Sequence, residues 1–207
     1  MTAVRRSQSA ATARQLPDMP PRPDYRWLLV VSANLLLLWL TGAANHHLSS
    51  AWFPFRDFFT VHLYLGGLMV TFAALRLDAR NGFIATFVTG LLADAATPLP
   101  FGTSLLLLGL AYAALLYGRQ RFPRDEPVFG AVVALFANLF LFLALSFFLV
   151  GSNPHPARAW LRLFTDLLAS QLVIFLVTPW FLALQARTFD LVRIHPETGR
   201  RVAPADF

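Results

Sequence analysis

The chain has no cysteine and no lysine among its 207 residues. The first absence removes disulfides, thiolate metal sites and cysteine nucleophiles together. Metal ligation is left to histidine and the carboxylates, and His46, His47, His62, His155 and His195 do not follow a spacing that assembles three or four converging ligands, so neither a metal nor a cofactor is expected. Charge is scarce as well: 14% of residues are charged and 57% hydrophobic, and Leu and Phe cluster in runs too long for a soluble core of this size. The reading is an all-α integral membrane protein. Its formal net charge of +6 rests entirely on arginine. In a bilayer such residues set orientation and meet anionic lipid headgroups, which is the role read here in place of nucleic-acid binding.

Residues 1–26 carry Arg5, Arg6, Arg14, Arg22, Arg26 and the proline-rich "LPDMPPRPD". This composition buries too little apolar surface to fold alone, so a disordered basic cytoplasmic arm is expected. The pair Arg5–Arg6 has no apolar stretch close behind it, which favours an uncleaved first span over an export signal. A membrane domain over 27–186 and a cytoplasmic tail over 187–207 complete the plan.

Crossing about 30 Å of hydrocarbon takes roughly 20 apolar residues. Runs 27–44, 58–75, 128–150 and 163–184 meet this directly. Between the second and third of them lie two shorter runs, 83–97 and 103–117, separated by Pro98, Pro100 and Gly102. Arginine placement tests the count. With six spans and both termini inside, fourteen of the seventeen arginines fall on the cytoplasmic side and only Arg56, Arg158 and Arg162 on the other. The split requires an even number of crossings between the second and third long runs, so the two short runs either both span or form a re-entrant hairpin. The expected fold is six transmembrane helices, the third and fourth short and separated by a Pro/Gly break, in a bacterial inner membrane.

Asp94 is the chief anomaly, because an ionisable group within a span costs about 2.5–3.5 kcal/mol and so has a partner or a task. Its place at the end of a helix is unfavourable for a carboxylate, whereas the first amides of the next helix, at Thr103 and Ser104, offer a positive dipole end and open donors. Asp94 is therefore expected to tie the two short helices together, with a substrate or ion contact and catalysis as alternative roles. Asp166 reads as a helix-start acid with Arg162 four residues before it. Asn34 and Asn138 sit mid-span, suited to hydrogen bonds between helices, and His62 reads as a packing histidine. Small residues at spacing four, Gly109 with Ala113 and Gly130 with Ala134 and Asn138, permit close helix approach. Packing within the bundle is the plain reading of both rows, and the second is also the best-supplied face for a partner's membrane span. Ser32, Ser146 and Ser170 have no base or acid beside them in sequence, so no catalytic residue is assigned.

The segment "NGFIATFVTGLLADAATPLPFGTSLLLLGLAY" resembles the signature region of the bacterial rod-shape-determining protein MreD family, and "TPWFLALQAR" is similar to that family's closing span. The positions carrying the likeness are Gly90, Asp94, Pro98, Gly102, Pro179 and Trp180. The resemblance implies a non-enzymatic subunit of the cell-elongation, peptidoglycan-synthesising complex. Its partners would be an MreC-like bitopic protein and, indirectly, an MreB-like filament, a RodA-like glycosyltransferase and a penicillin-binding transpeptidase. It also implies a likeness in fold to the substrate-binding subunits of energy-coupling-factor transporters. That leaves a vitamin-type transporter subunit as the alternative, since a Pro-interrupted pair of short helices points to a transport site. Against transport, the first span lacks the Ala-x-x-x-Ala docking pattern, Ala33 being followed at plus four by Leu37 and Ala43 by His47. A lipid-modifying enzyme is a third reading, because intramembrane carboxylates can be catalytic.

Overall fold

The computed structural model of the protein describes residues 25–50, 61–97, 100–119, 127–150 and 156–192. The arm up to residue 24, Arg56, Pro98 and the tail beyond Val192 lie outside the described residues. Within them the fold is helical, with no strand: α1 (Arg26–Ser50), α2 (Gly66–Arg76), α3 (Ala79–Ala96), α4 (Thr103–Gly118), α5 (Pro127–Val150) and α6 (Pro156–Val192). Three helices are long and apolar enough to cross a membrane, over Arg26–Leu48, Val128–Phe147 and Trp160–Val192.

Successive helices run in opposite directions. At one end Arg26 of α1 pairs with Asp78 in the α2–α3 turn at 2.9 Å, Arg119 after α4 donates to the Leu77 carbonyl at 2.8 Å, and Tyr112 donates to the Ala79 carbonyl at 2.9 Å. Phe189 near the end of α6 stacks on Phe72 of α2, with ring centroids 5.7 Å apart, beside the same corner. The start of α1 and the end of α6 therefore share this basic end, along with Arg76, Arg80 and Arg187. Arg162 lies at the opposite end.

Element lengths depart from the sequence reading in two places. The run 58–75 is not one helix: α2 has 11 residues, and 61–65 ahead of it are non-helical. The third helix is longer than expected, with 18 residues. Asp78 caps it, accepting from the Asn81 amide at 3.3 Å, and so starts it four residues before Phe83. The short helices are thus α2 and α4. Proline at the first position begins both α5 and α6, where its missing N–H costs nothing, and α6 extends through 37 residues, about 55 Å.

α2 is the central helix, buried from Gly66 to Leu75. Its close fit against α5 depends on Gly67, where a Cβ would run into the Asn138 and Ala134 main chain. Gly130 on the same row of α5 faces Leu182 of α6, whose Cδ1 a Cβ would meet at 2.5 Å. Gly130, Ala134 and Asn138 are all buried and used inside the bundle, which corrects their assignment as a partner-docking face: the small side chains there admit α2 and α6 of the same chain. Gly109 behaves oppositely. Nothing stands within 4 Å of a Cβ at that position, and Ala113 one turn on is exposed, so this row is not packed inside the bundle.

The two rows can be told apart by melting the purified protein in detergent. Gly67→Ala should lose about 1–3 kcal/mol through overpacking against main chain, whereas Gly109→Ala should melt at or above wild type, since alanine favours helix over glycine. Equal loss in both would contradict the packing described.

Candidate functional site: two backbone breaks held by side chains

At the first break, α3 ends at Ala96 and α4 begins at Thr103. Gly102, the residue before α4, has φ +95°, a left-handed conformation that glycine adopts without strain, and it brings no capping side chain of its own. The cap comes from the preceding helix. Asp94, only 4% exposed in the last turn of α3, accepts from the Ser104 amide at 2.7 Å through Oδ1. Its Oδ2 accepts from Gly102 at 3.0 Å and Leu105 at 3.1 Å. The Thr103 amide, expected to join this set, turns instead to the Pro100 carbonyl at 3.1 Å, because the turn through Phe101 and Gly102 points it back along the chain. One helical turn before Asp94, Gly90 lets α4 approach: a Cβ there would lie 2.7 Å from the Leu105 Cα. Gly90, Asp94 and Gly102 thus form a single joint. The carboxylate meets three donors and the positive end of the α4 dipole, which together offset its desolvation and the adverse end of α3. Pro98 lies outside the described residues, and Pro179 and Trp180 sit on an exposed face of α6, away from this joint.

The second break is residues 61–65. Asp166 Oδ1 accepts from the His62 amide at 2.9 Å, and Ser170 Oγ accepts from the Tyr64 amide at 3.0 Å while donating to the Asp166 carbonyl at 2.7 Å. Residues four apart on a helix are separated by about 6 Å along its axis. Alternate residues of an extended chain are separated by about 6.6 Å. The pair Asp166 and Ser170 on α6 therefore matches the spacing of the two amides it holds. Leu63 faces the other way, and Asn45 of α1 engages both its main-chain groups: the Leu63 amide donates to Asn45 Oδ1 at 2.7 Å, and Asn45 Nδ2 donates to the Leu63 carbonyl at 3.0 Å. The Gly67 amide, in the first turn of α2, donates to Asn138 Oδ1 at 3.2 Å.

These contacts revise two readings from sequence. Asp166 is not a helix-start acid, because α6 begins ten residues earlier, at Pro156, and the carboxylate is turned to a remote amide. His62 is exposed, and it is its main chain that the fold grips. Sequence reasoning missed Asn45, and weighed Ser170 only as a nucleophile. A signal existed in the polar pair Asp166 and Ser170 at spacing four within an apolar run.

Deeper in the bundle Asn34 links four helices. Its Nδ2 donates to the Met69 carbonyl at 3.0 Å and to Thr89 Oγ1 at 3.1 Å, and its Oδ1 accepts from Gln185 Nε2 at 3.4 Å. The hydroxyls of Ser32, Ser146 and Ser170 each donate to a carbonyl of their own helix. Among the described residues no three of His, Asp and Glu gather as a metal site would require. Comparisons with protein-family models, with curated proteins and with solved structures give no match to this chain.

Replacement of Asp94 separates its tying role from other roles. Asp94→Leu strands three amides, at about 1–3 kcal/mol each where no water reaches them, and should lower the melting temperature in detergent by roughly 10 °C. Asp94→Asn keeps an acceptor and should lose far less. Equal stability of the two variants would sink the tie.

Proposed function

We propose that this chain is a non-enzymatic scaffold subunit of the bacterial cell-elongation complex. In this reading it is an MreD-type inner-membrane protein with six spans and both termini cytoplasmic, and it binds an MreC-like bitopic partner within the bilayer. The observation that carries the reading is the joint at the α3–α4 break. Gly90, Asp94 and Gly102, which bear the resemblance to that family, meet at one point and share one physical task. Among the described residues the two buried carboxylates, Asp94 and Asp166, accept main-chain amides, a use that suits a rigid platform. Contact through the MreC-like protein would link the chain indirectly to an MreB-like filament, a RodA-like glycosyltransferase and a penicillin-binding transpeptidase.

Two features support six crossings. Helix direction alternates throughout, and the second crossing gains length from its break: residues 61–64 at about 3.3 Å each, with Leu65 and eleven helical residues at about 1.5 Å each, reach roughly 31 Å, enough for the hydrocarbon layer. Arg26, Arg76, Arg80, Arg119 and Arg187 share one end of the bundle, as a cytoplasmic face requires.

Reporter fusions after Ala79, Pro100, Phe122, His155 and Arg200 should read in, out, in, out, in, and a cytoplasmic signal after Pro100 would replace the third and fourth spans by a re-entrant hairpin. Affinity purification of the full chain from its native membrane should bring down an MreC-like protein. Recovery of the chain with a bound small vitamin and without such a partner would overturn the scaffold in favour of a transporter subunit.

A further inference from the structure

The α2–α3 corner gathers more positive charge than its folding needs. Arg26 comes to it from α1, Arg119 from the end of α4, and Arg76 and Arg80 flank it in sequence; of the described carboxylates Asp78 lies within the corner, and Asp190, exposed near the end of α6, lies at the same end of the bundle. Arg26 is buried and engaged with Asp78 at 2.9 Å, so that pair is internally balanced. Arg119 is held in place by one nitrogen, Nη1, on the neutral Leu77 carbonyl at 2.8 Å, which fixes the guanidinium without neutralising it. Arg80 is exposed.

What lies beside these two cations decides the kind of partner. Arg80, Phe83 and Phe87 share one face of α3 at spacings of three and four. Phe83 and Phe87 are 53% and 43% exposed, with ring centroids 6.1 Å apart. Tyr112, two turns before Arg119 on α4, closes the inner wall, its ring 6.5 Å from Phe83 and its hydroxyl on the Ala79 carbonyl. Cationic heads therefore sit at the helix ends, and an open apolar track runs from them along the bundle. A soluble acidic peptide would use the charge and leave the phenylalanines unmatched. A molecule with an anionic head and an acyl chain matches both.

We propose that the α3–α4 seam at the basic end is a binding site for one anionic phospholipid, with its phosphate between Arg80 and Arg119 and an acyl chain along Phe83 and Phe87. The proposal rests on the basic end lying at a headgroup layer and is independent of any scaffold partner.

Native mass spectrometry of the full chain in detergent, titrated with phosphatidylglycerol, phosphatidylcholine or inorganic phosphate, tests it. Phosphatidylglycerol should bind in preference to phosphatidylcholine. At roughly fivefold for each interfacial arginine, Arg80→Gln should weaken it about fivefold and Arg80→Gln with Arg119→Gln about 30-fold. Arg162→Gln, at the opposite end, should leave it unchanged. Arg80→Gln replaces an exposed side chain and keeps the test valid if loss of Arg119 disturbs the corner. Equal binding of the two lipids, an effect of Arg162→Gln as large as that of Arg80→Gln, or phosphate alone competing fully with the lipid would each overturn the assignment, the last in favour of a free-anion site.

Discussion

A main-chain amide inside a bilayer has no water to turn to, so any interruption of a helix there must be bonded by something else in the protein. This constraint organises the chain. Among the described residues it leaves helix at the turn between α3 and α4 and in the segment ahead of α2, and each time a carboxylate from a neighbouring helix supplies acceptors. The two solutions differ in form. Asp94 concentrates three amides on one group at a helix start, whereas the 61–65 segment has its groups distributed over Asp166, Ser170 and Asn45, in the alternating pattern that an extended chain presents.

The breaks have consequences for packing. An extended approach lets α2 be short, and a short α2 fits wholly inside the bundle, covered along nearly its whole length. Gly67 and Gly90 then bring α2 against α5 and α3 against α4 at distances no side chain would permit. Within a bilayer, apolar side chains gain little by leaving lipid for protein, so close packing and hydrogen bonds between helices must supply the cohesion. Asn34, joining α1, α2, α3 and α6, and the Arg26–Asp78 pair, joining α1 to the α2–α3 turn, serve that end.

The α3–α4 joint was legible in the sequence because its parts are local. Asp94 stands eight to eleven residues from the amides it accepts, and a carboxylate before a Pro/Gly break is conspicuous in an apolar chain. The second break was not legible, because Asp166 lies 104 residues from His62 and looks like any acid near a helix start. Composition also misled there: 58–75 is predominantly apolar, and apolarity does not distinguish helical from extended backbone when the bonds that decide come from elsewhere in the chain. Gly130, Ala134 and Asn138 show the same limit, since a row of small residues signals close approach without naming the neighbour. The start of α3 at Ala79 had a visible sign in Asp78, a capping residue ahead of the apolar run.

Side chains, and not solvent or helical continuation, satisfy the amides of His62, Leu63 and Tyr64 at one break and of Gly102, Ser104 and Leu105 at the other. Amide hydrogen exchange, followed residue by residue on the full chain in micelles, tests this most directly. Strong protection is expected at His62, Leu63, Tyr64, Gly102, Ser104 and Leu105, although the first four lie outside any helix and the last two lack an acceptor in their own. Exchange of these six at the rate of an unstructured chain, with the interiors of α2 and α4 protected, would contradict it.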